Sequence, residues 1–459
     1  MRMTLPHQNT PFSEEEARSK LAQMDQSHLF EGWELLSPAE KALFLLQVQK
    51  LDPSFFLREQ KCALEWKIGP LEPFSDYFLK GSSEDEKNGR TLISQGACMA
   101  LTVAGGQGSR LRLNGPKGCY PISLVKKKSL FQLLAEKIKA AGKQAGRPLE
   151  WVVTTSPLNH EETLLFFKEH HFFGLIASQV HFFCQEMWPL LDREGNLFLE
   201  APGLLAQGPN GNGGALRQLA TSSFFQTWKE QGITSVSFTL IDNLLADPFD
   251  QELLGFHNRL GNEITLKAIF RQNAEEKVGI VVLKEGKPAV VEYSECPEEV
   301  KRASTPEGFA FPLANTSLFC FSLSFIEKTA GFTLPLHAAK KAVKRWTAAT
   351  GTVFPEEPNA WKFEEFIFDL LPFGKKVSAL VYPREECFAP LKNSESVAAV
   401  QRSLQARDAQ IFSQITGVQP PTNHPFELAQ EFYYPTEELI DKWRGRKLPS
   451  SSYITAKDE

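Results

Sequence analysis

The sequence lacks closely spaced cysteines, an apolar run of membrane length and any excess of basic charge. Its seven cysteines are scattered over 459 residues without a C-x-x-C spacing, so we expect buried thiols in a reducing compartment rather than disulfides or zinc. No apolar stretch is long enough to span a bilayer and no hydrophobic leader is visible, so the sequence predicts a cytoplasmic protein without a membrane partner. A net charge of -5 gives no broad basic field, and nucleic acid is not an expected partner.

The distribution of apolar residues predicts three successive regions. With 459 residues and a hydrophobic content of 42%, the chain is long enough for a large core and more than one domain. Residues 1–90 contain helix-start patterns and are expected to form an N-terminal helical region. Residues 91–385 alternate strand-like and helix-like segments, which is typical of an α/β domain with a mixed, largely parallel sheet flanked by helices. Residues 386–459 predict a C-terminal helical region.

Local signals add detail to this division. Two closely spaced strand-like runs meet at Glu285-Gly286 and predict an antiparallel hairpin. The polar stretch from Gly81 to Asn88 predicts a linker or an exposed loop. His337 is expected on the surface of a helix and is given no chemical role. The tail is expected to contain one helix after Val397 and a second around Leu428 to Trp443.

A glycine-rich loop follows the first strong strand signal of the central region. The apolar run from Met99 to Ala104 leads into Gly105-Gly106-Gln107-Gly108, and Arg110 and Lys117 follow before a helix expected after Ser129. Glycines let the backbone approach a ligand closely, and the N–H groups they free can bind an anion. The loop therefore predicts a phosphate site with two cations, and the alternative is a flexible turn with solvated cations.

Two common phosphate-binding fingerprints are absent from this loop. The Walker pattern fails because Gly118 follows Lys117 where serine or threonine is required. The dinucleotide fingerprint fails because Leu111 stands where the third glycine is required. The glycine loop therefore belongs to neither of these two classes.

Other candidate residues follow predicted strands, where ligands bind in open α/β sheets. Gln185 has an amide that can pair with a nucleobase edge or lie on the surface. A second glycine loop, containing Gly213-Gly214, opens a predicted helix. Asp242 ends a strand, where its carboxylate can hold Mg²⁺ against phosphate oxygens or mark a turn. Lys362 and Lys392 are candidate cations for a phosphate, with solvated lysines as the alternative.

Taken in chain order, these stretches resemble the eukaryote-type UDP-sugar pyrophosphorylase family (UDPGP type 1), nearest its UDP-N-acetylglucosamine pyrophosphorylase branch. The first glycine loop resembles the family motif G-G-x-G-T-R-L-G-x-x-x-P-K-G, with Ser109 for the threonine and Arg112 for the glycine after leucine. The other matches are a uracil-reading segment at Phe182 to Pro189, a glycine loop at Asn210 to Gly214, an aspartate motif at Ile241 to Asn243, a sugar stretch at Val291 to Glu295, and further motifs at Pro358 to Lys362, Phe366 to Asp369 and Ala389 to Asn393. The resemblance extends from about residue 95 to residue 395.

The resemblance implies a Rossmann-like (GT-A-like) nucleotidyltransferase that makes a UDP-sugar and pyrophosphate from UTP and a sugar 1-phosphate. It implies that Arg110, Lys117 and Lys392 act on the phosphates during catalysis. It also implies Mg²⁺ or Mn²⁺ at Asp242. The residues implied in nucleotide binding are Gly105, Gly106, Gln107, Gly108, Gln185, Gly213 and Gly214, and those implied in binding the sugar and its phosphate are Glu292, Tyr293, Asn315 and Lys362.

One departure from the family pattern leaves the sugar open. The segment Pro312-Leu313-Ala314-Asn315 stands where the family has N-A-G-N beside the sugar, and only the last asparagine is kept. We expect N-acetylglucosamine 1-phosphate, with glucose 1-phosphate or several sugar phosphates as the alternative, because proline and alanine restrict the backbone there. A non-catalytic nucleotide-sugar sensor is a further alternative, and retention of the candidate cations and of Asp242 favours the enzyme. The oligomeric state is not predicted.

Overall fold

A computed structural model describes residues 12–64, 69–421 and 424–458, which group into two compact units. Each unit is assembled from separate stretches of the chain. The smaller unit consists of the described residues within Met1–Ile68, Glu186–Gly211 and Pro335–Glu365, and the larger unit of those within Gly69–Gln185, Asn212–Leu334 and Phe366–Glu459. The domain boundaries expected near residues 90 and 385 stay a prediction.

The larger unit is built on an eleven-stranded mixed sheet. Eight of its strands form a continuous path, and in chain order they are β1 (Tyr77–Leu79), β2 (Cys98–Val103), β3 (Trp151–Thr155), β4 (Val180–Cys184), β5 (Ser235–Leu240), β6 (Ile264–Phe270), β7 (Leu313–Ser322) and β8 (Val377–Val381). Their order across the sheet is β1-β8-β6-β7-β5-β2-β3-β4. Only β7 runs antiparallel to its neighbours β5 and β6, and the other five pairs are parallel. The expected mixed, largely parallel α/β sheet is confirmed.

Three further strands complete this sheet, at Leu71–Pro73, Ile280–Lys284 and Lys287–Val291. The last two form the hairpin that the sequence predicts at Glu285-Gly286. Both turn residues have positive φ, 52° at Glu285 and 73° at Gly286, which is the backbone of a tight turn with a twist that matches the strands it joins.

Two apolar layers cover the two faces of the sheet. Along β2, Met99 and Leu101 pack in one apolar cluster with Phe319, whereas Ala100 packs in another with Phe167. Successive side chains of a strand point to opposite faces, so these clusters lie on either side of the sheet. The α-helices of the larger unit are Ser83–Gln95, Leu130–Ala145, His160–Glu169, Ala215–Thr221, Phe225–Glu230, Gln251–Leu260, Glu298–Arg302, Leu323–Thr329, Arg384–Cys387, Val397–Thr416 and Glu437–Trp443.

The helix Ser83–Gln95 replaces the linker expected at 81–88, and that prediction is wrong. Ser82 accepts from the Asp85 N–H while the Asp85 carboxylate accepts from the Ser82 N–H, so this polar start is a helix cap. The helix packs closely on Gln251–Leu260 through two glycines. A Cβ at Gly89 would lie 1.8 Å from the Gln251 carbonyl oxygen, and one at Gly255 would lie 1.8 Å from that of Asp85. The contact is therefore made through backbone rather than through large apolar side chains.

Gly255→Ala should destabilise the larger unit because the added methyl group would overlap the Asp85 carbonyl oxygen, 1.8 Å away. Both partners are helix backbone and cannot rotate aside, so we expect the free energy of unfolding to fall by about 1–3 kcal/mol, measured by urea denaturation. Gly331→Ala is the matched control, because its methyl group would come no closer than 3.9 Å to the Lys328 carbonyl oxygen. Equal losses in the two variants would contradict this account of the helix contact.

The smaller unit packs helices against short antiparallel sheets. Its helices are Glu14–Gln23, Pro38–Lys50 and Pro53–Leu64, and its strands are Met187–Pro189, Leu191–Asp192, Leu199–Ala201, Leu204–Leu205, Gln207–Pro209, His337–Lys341, Arg345–Thr347, Gly351–Val353 and Ala360–Glu364. Capping boxes at Ser13 and Ser37 start the first two helices. His337 lies in a strand and is buried, so its expected place on a helix surface is wrong. The sequence signal was misleading because the flanking lysines resemble an exposed helix.

The C-terminal part of the larger unit is less helical than expected. The helix after Val397 is confirmed as Val397–Thr416, but the second expected helix is only Glu437–Trp443. Before it, the short strand Glu427–Leu428 pairs with Tyr453–Ile454. Across residues 12–64, 69–421 and 424–458, no helix combines the length and the apolar composition needed to cross a membrane.

Candidate active site

The candidate site residues of the larger unit follow strands that end at one edge of the sheet. β2, β3, β4 and β5 are parallel, so the loops that follow them leave from the same edge. β7 runs the other way beside β5, with Ser235 opposite Ser322, and its first residues therefore lie at that edge as well. Loops at the carboxyl ends of parallel strands are where open α/β sheets bind ligands.

The first glycine loop folds back on itself after β2. The Lys117 N–H donates to the Gly106 carbonyl at 3.0 Å, and the Gly108 N–H donates to the Gly115 carbonyl at 2.9 Å. Where the loop folds back, Gly118 packs against the Phe131 ring. Glycine is needed there because a Cβ would lie 2.1 Å from the ring. Lys117 is thereby brought beside the first glycines of the loop.

Lys117 meets Asp242, a second predicted site residue, at the ends of the neighbouring strands β2 and β5. The Lys117 Nζ lies 3.1 Å from the Asp242 Oδ2, and both side chains keep part of their surface exposed, 15% and 21%. A partly exposed pair of this kind can exchange partners with a ligand, the ammonium for a phosphate oxygen and the carboxylate for a cation. The structure thus joins the glycine loop to the aspartate motif.

Hydrogen bonds hold Asp242 and Asn243 next to the segment from Cys387 to Leu391, which directly precedes Lys392. We call this set of contacts the strap at Asn243. The Leu391 N–H donates to the Asp242 carbonyl at 2.8 Å. The Asn243 amide donates to the Cys387 carbonyl at 2.8 Å and accepts from the Ala389 N–H at 3.0 Å. Lys392 follows this strap directly and its side chain is exposed. Sequence reasoning missed the role of Asn243, since asparagine after a strand also occurs in ordinary turns.

Arg110 lies on the short turn Ser109–Leu111 within the glycine loop, and it is exposed. Within the described part of the chain, its guanidinium has no ion pair and no hydrogen-bond partner. Such a group can contribute positive charge to a bound anion without first breaking an internal contact.

Gln185 lies against the first glycine of the loop. It follows β4, where its N–H donates to the Thr155 carbonyl at 2.8 Å, and the residue is 8% exposed. A Cβ at Gly105 would lie 2.7 Å from the Gln185 Nε2, so glycine is needed for this approach. Gly213 and Gly214 are buried and precede the helix Ala215–Thr221.

Glu292 and Asn315 approach each other at Gly279. The Asn315 N–H donates to the Gly279 carbonyl at 2.8 Å, and the Glu292 Oε1 lies 3.3 Å from the position of a Cβ at Gly279. Tyr293, next along the chain, is 39% exposed. Ala314 is fully buried within β7, so the segment from Pro312 to Asn315, which is expected beside the sugar, is largely strand.

Lys362 belongs to the smaller unit, where it lies on the strand Ala360–Glu364. Its Nζ is 2.8 Å from the Glu364 Oε1. Its aliphatic stem covers Gly208, with Cε 3.0 Å from the position of a Cβ there. Its expected contact with the sugar phosphate stays a prediction.

The thiols beside the site are not activated nucleophiles. Burial raises the pKa of the Cys119 thiol to about 12 and also raises the pKa of Cys184 above its ordinary value. The thiolate is the nucleophilic form of cysteine, so both side chains stay protonated at neutral pH. Both are free thiols, as are Cys98, Cys296, Cys320 and Cys387.

Sequence reasoning also missed Ser156 and Asn159, which follow β3 and bond the glycine loop. The Ser156 Oγ donates to the Gly105 carbonyl at 2.8 Å, and the Asn159 Nδ2 donates to the Ala104 carbonyl at 2.9 Å. A serine and an asparagine between a strand and a helix are a signal for a turn or a helix cap, so nothing in the sequence pointed to this contact.

Comparison with known proteins identifies the class of this chain. The family model described as UTP--glucose-1-phosphate uridylyltransferase matches residues 60–437. The protein is a nucleotidyltransferase enzyme. It belongs to the UTP–glucose-1-phosphate uridylyltransferase family, the UDP-sugar pyrophosphorylases.

Individual relatives resemble the chain over most of its length. The UDP-N-acetylglucosamine pyrophosphorylase of Saccharomyces cerevisiae is 33% identical over 80% of this chain and 83% of its own. A Dictyostelium discoideum protein named probable UDP-N-acetylglucosamine pyrophosphorylase is 33% identical over 83% of this chain and 84% of its own. The crystal structure of the Trypanosoma brucei UDP-N-acetylglucosamine pyrophosphorylase in complex with an inhibitor aligns with a TM-score of 0.81 and 25% identity, over 99% of this chain and 100% of that one.

Proposed function

We propose that this enzyme transfers a uridylyl group from UTP to N-acetylglucosamine 1-phosphate, with release of pyrophosphate. The family and the names of the relatives support a UDP-sugar product, and those relatives are named for N-acetylglucosamine. The observation that carries the proposal is the Lys117–Asp242 pair, 3.1 Å apart, at the end of a glycine loop. This pair offers a phosphate a cation and offers a divalent metal a carboxylate at one place.

The reaction forms one P–O bond and breaks another. An oxygen of the sugar phosphate attacks the α-phosphorus of UTP, and the bond from that phosphorus to the bridging oxygen breaks, so pyrophosphate leaves with the electron pair. In phosphoryl transfer the protein mainly positions the groups and stabilises the developing charge. Arg110, Lys117 and Lys392 are the cations proposed for this role. The protonated thiols of Cys119 and Cys184 agree with direct transfer without a covalent intermediate.

A divalent metal, Mg²⁺ or Mn²⁺, fits Asp242 only together with substrate oxygens. The described residues contain no cluster of three or more His, Cys, Asp or Glu side chains that could hold a metal. Asp242 bonds Lys117 through Oδ2, and its other carboxylate oxygen has no partner among the described residues. Mg²⁺ is commonly bound by one or two carboxylates with substrate phosphates and waters. The bound ion would withdraw charge from the phosphate oxygens.

The base and the sugar are assigned to opposite sides of the phosphates along the sheet edge. Gln185 has an amide that can pair with the adjacent donor and acceptor of uracil, and Gly105 allows it to lie close to the glycine loop. Glu292, Tyr293 and Asn315 are proposed to contact the sugar. Ala314 lies within β7, where it pairs with Ile269 and Ile280, and so belongs to the sheet beside the proposed sugar position.

The assay that tests the proposal measures pyrophosphate release from UTP with a panel of sugar 1-phosphates. We expect the highest kcat/KM with N-acetylglucosamine 1-phosphate and a lower value with glucose 1-phosphate. Because a methyl-sized contact changes such preferences by only about 1–3 kcal/mol, some activity with both sugars is expected. A preference for glucose 1-phosphate would overturn the sugar assignment alone.

The same assay tests the nucleotide. We expect UTP to be preferred over CTP, ATP and GTP, since the amide of Gln185 can pair with the adjacent donor and acceptor of uracil and the neighbouring backbone selects against the larger purines. Equal rates with ATP would contradict the uridylyl assignment, and no pyrophosphate release with any pair of substrates would favour a nucleotide-sugar sensor.

A further inference from the structure

The loop after β3 holds the first glycine loop by its carbonyl groups. Ser156 Oγ donates to the Gly105 carbonyl at 2.8 Å. Asn159 Nδ2 donates to the Ala104 carbonyl at 2.9 Å and to the Gly106 carbonyl at 3.2 Å. Three consecutive carbonyls of the glycine loop are thus bonded by two side chains, which we name the Ser156–Asn159 clamp.

The clamp is itself ordered and buried. The Asn159 Oδ1 accepts from the Ser156 N–H at 2.9 Å, which fixes which end of the amide faces the glycine loop. Ser156 is fully buried and Asn159 is 1% exposed. Asn159 is also the residue that precedes the helix His160–Glu169, yet its side chain makes no cap to that helix. An asparagine at this position ordinarily caps its own helix, so here the amide is committed to the loop instead.

Because a peptide group is planar, the direction of each bonded carbonyl also sets the direction of the next N–H group. No cis peptide bond is found in the described chain, and in a planar trans peptide the N–H of one residue points opposite to the C=O of the residue before it. Because the carbonyls of Ala104, Gly105 and Gly106 point into the clamp, the N–H groups of Gly105, Gly106 and Gln107 point away from it.

The side opposite the clamp is open. Among the described residues, no neighbouring atom lies within 4 Å of the position of a Cβ at Gly106, and Gly106 and Gln107 are exposed. Over the part of the chain that the structure describes, the N–H groups of Gly105, Gly106 and Gln107 have no acceptor. Successive N–H groups on one side of a turn form an anion-binding concavity, and Lys117 lies at the same loop.

We propose that Ser156 and Asn159 are positioning residues that aim the N–H groups of Gly105, Gly106 and Gln107 at the phosphates of the bound nucleotide. This inference rests on the proposed function and adds a role to residues that do not contact the substrate. Without the clamp, the glycine-rich peptides can rotate, and a preorganised set of donors becomes a mobile one.

The test uses titration calorimetry to compare the affinities of variants at three buried positions for UTP, inorganic pyrophosphate and uridine. Asn159→Ala removes the two donated bonds and, unlike aspartate, adds no negative charge that would itself repel a phosphate. We expect its affinity for UTP and pyrophosphate to fall about tenfold, with a smaller loss for uridine, which carries no phosphate for the three N–H groups to bind. Ser156→Ala, which loses one donated bond, should show the same selectivity with a smaller loss.

Thr163→Val is the matched control. Thr163 is fully buried on the helix that follows Asn159, and its hydroxyl has no hydrogen-bond partner among the residues that the structure describes. This variant should bind all three probes as the wild type does, and thermal melts should show that all variants are folded. Unchanged pyrophosphate affinity in Asn159→Ala would overturn the clamp, and so would an equal loss for uridine, which is what a merely structural role produces. If the wild type binds neither UTP nor pyrophosphate, the proposed function fails and the clamp with it.

Discussion

Replacing Lys117 by methionine should lower kcat for pyrophosphate release by roughly 10²–10³-fold, the usual effect of removing one preorganised charge contact in the transition state. Methionine keeps the length and the apolar stem but removes the ammonium that lies 3.1 Å from Asp242. The loop itself should persist, because its closure depends on the Lys117 N–H and on Gly118, which the substitution leaves unchanged. Stopped-time assays of pyrophosphate with saturating UTP and sugar phosphate measure the effect.

Lys143→Met is the control for this substitution. Lys143 is an exposed lysine in the last turn of the helix Leu130–Ala145, so losing its charge should change kcat less than about twofold. Far-ultraviolet circular dichroism should be the same for both variants and the wild type. A Lys117→Met enzyme with wild-type turnover would remove the glycine loop from the proposed phosphate site.

Removing the charge of Asp242 should lower activity about as much as Lys117→Met does, but it should also change how activity depends on the metal concentration. Asp242→Asn keeps the shape and the acceptor for Lys117, but a neutral amide is a much poorer ligand for a hard cation than a carboxylate. We expect wild-type activity to disappear in EDTA and to return with Mg²⁺ or Mn²⁺. In the variant we expect activity to fall roughly 10²-fold and to need a higher metal concentration for its half-maximum.

Titrations of activity against Mg²⁺ concentration distinguish a metal ligand from a simple partner of Lys117. Asp441→Asn is the control, because Asp441 is exposed and pairs with Arg444, three residues later in the chain. A metal dependence that is the same in Asp242→Asn and in the wild type would place the ion elsewhere. Full wild-type activity in EDTA would exclude the metal from the proposed mechanism.

The sequence predicted the central sheet well because its middle strands are buried on both faces. A strand such as β2 is a continuous apolar run, and a run of this length between turn residues has few other structures available. The helix Ser83–Gln95 was missed for the opposite reason. It is polar, and its contact with the helix Gln251–Leu260 is made by the backbone at Gly89 and Gly255, which no apolar periodicity reveals.

In the candidate site, individual residues could be predicted from local motifs, but their contacts with distant parts of the chain could not. Lys117 and Asp242 could each be singled out from their local motifs, but their contact joins residues 125 positions apart and depends on the pairing of β2 with β5. The strap at Asn243 and the Ser156–Asn159 clamp were not predicted, since serine and asparagine after a strand have several local uses. The roles of these residues depend on which loop lies next to them, and the order of the strands in the sheet decides that.

The strap at Asn243 also bears on when the enzyme becomes complete during synthesis. Asn243 is held by the Cys387 and Ala389 backbone, 144 and 146 residues later in the chain. A nascent chain whose β5 has just left the ribosome still lacks the segment from Cys387 to Leu391. That segment holds Asp242 in place and brings Lys392 next to it. Chains of this size fold through intermediates, and long-range pairings form late. A partly synthesised chain can therefore build much of its sheet without yet having a phosphate site, so ribosome-bound intermediates should not compete with finished enzyme for UTP.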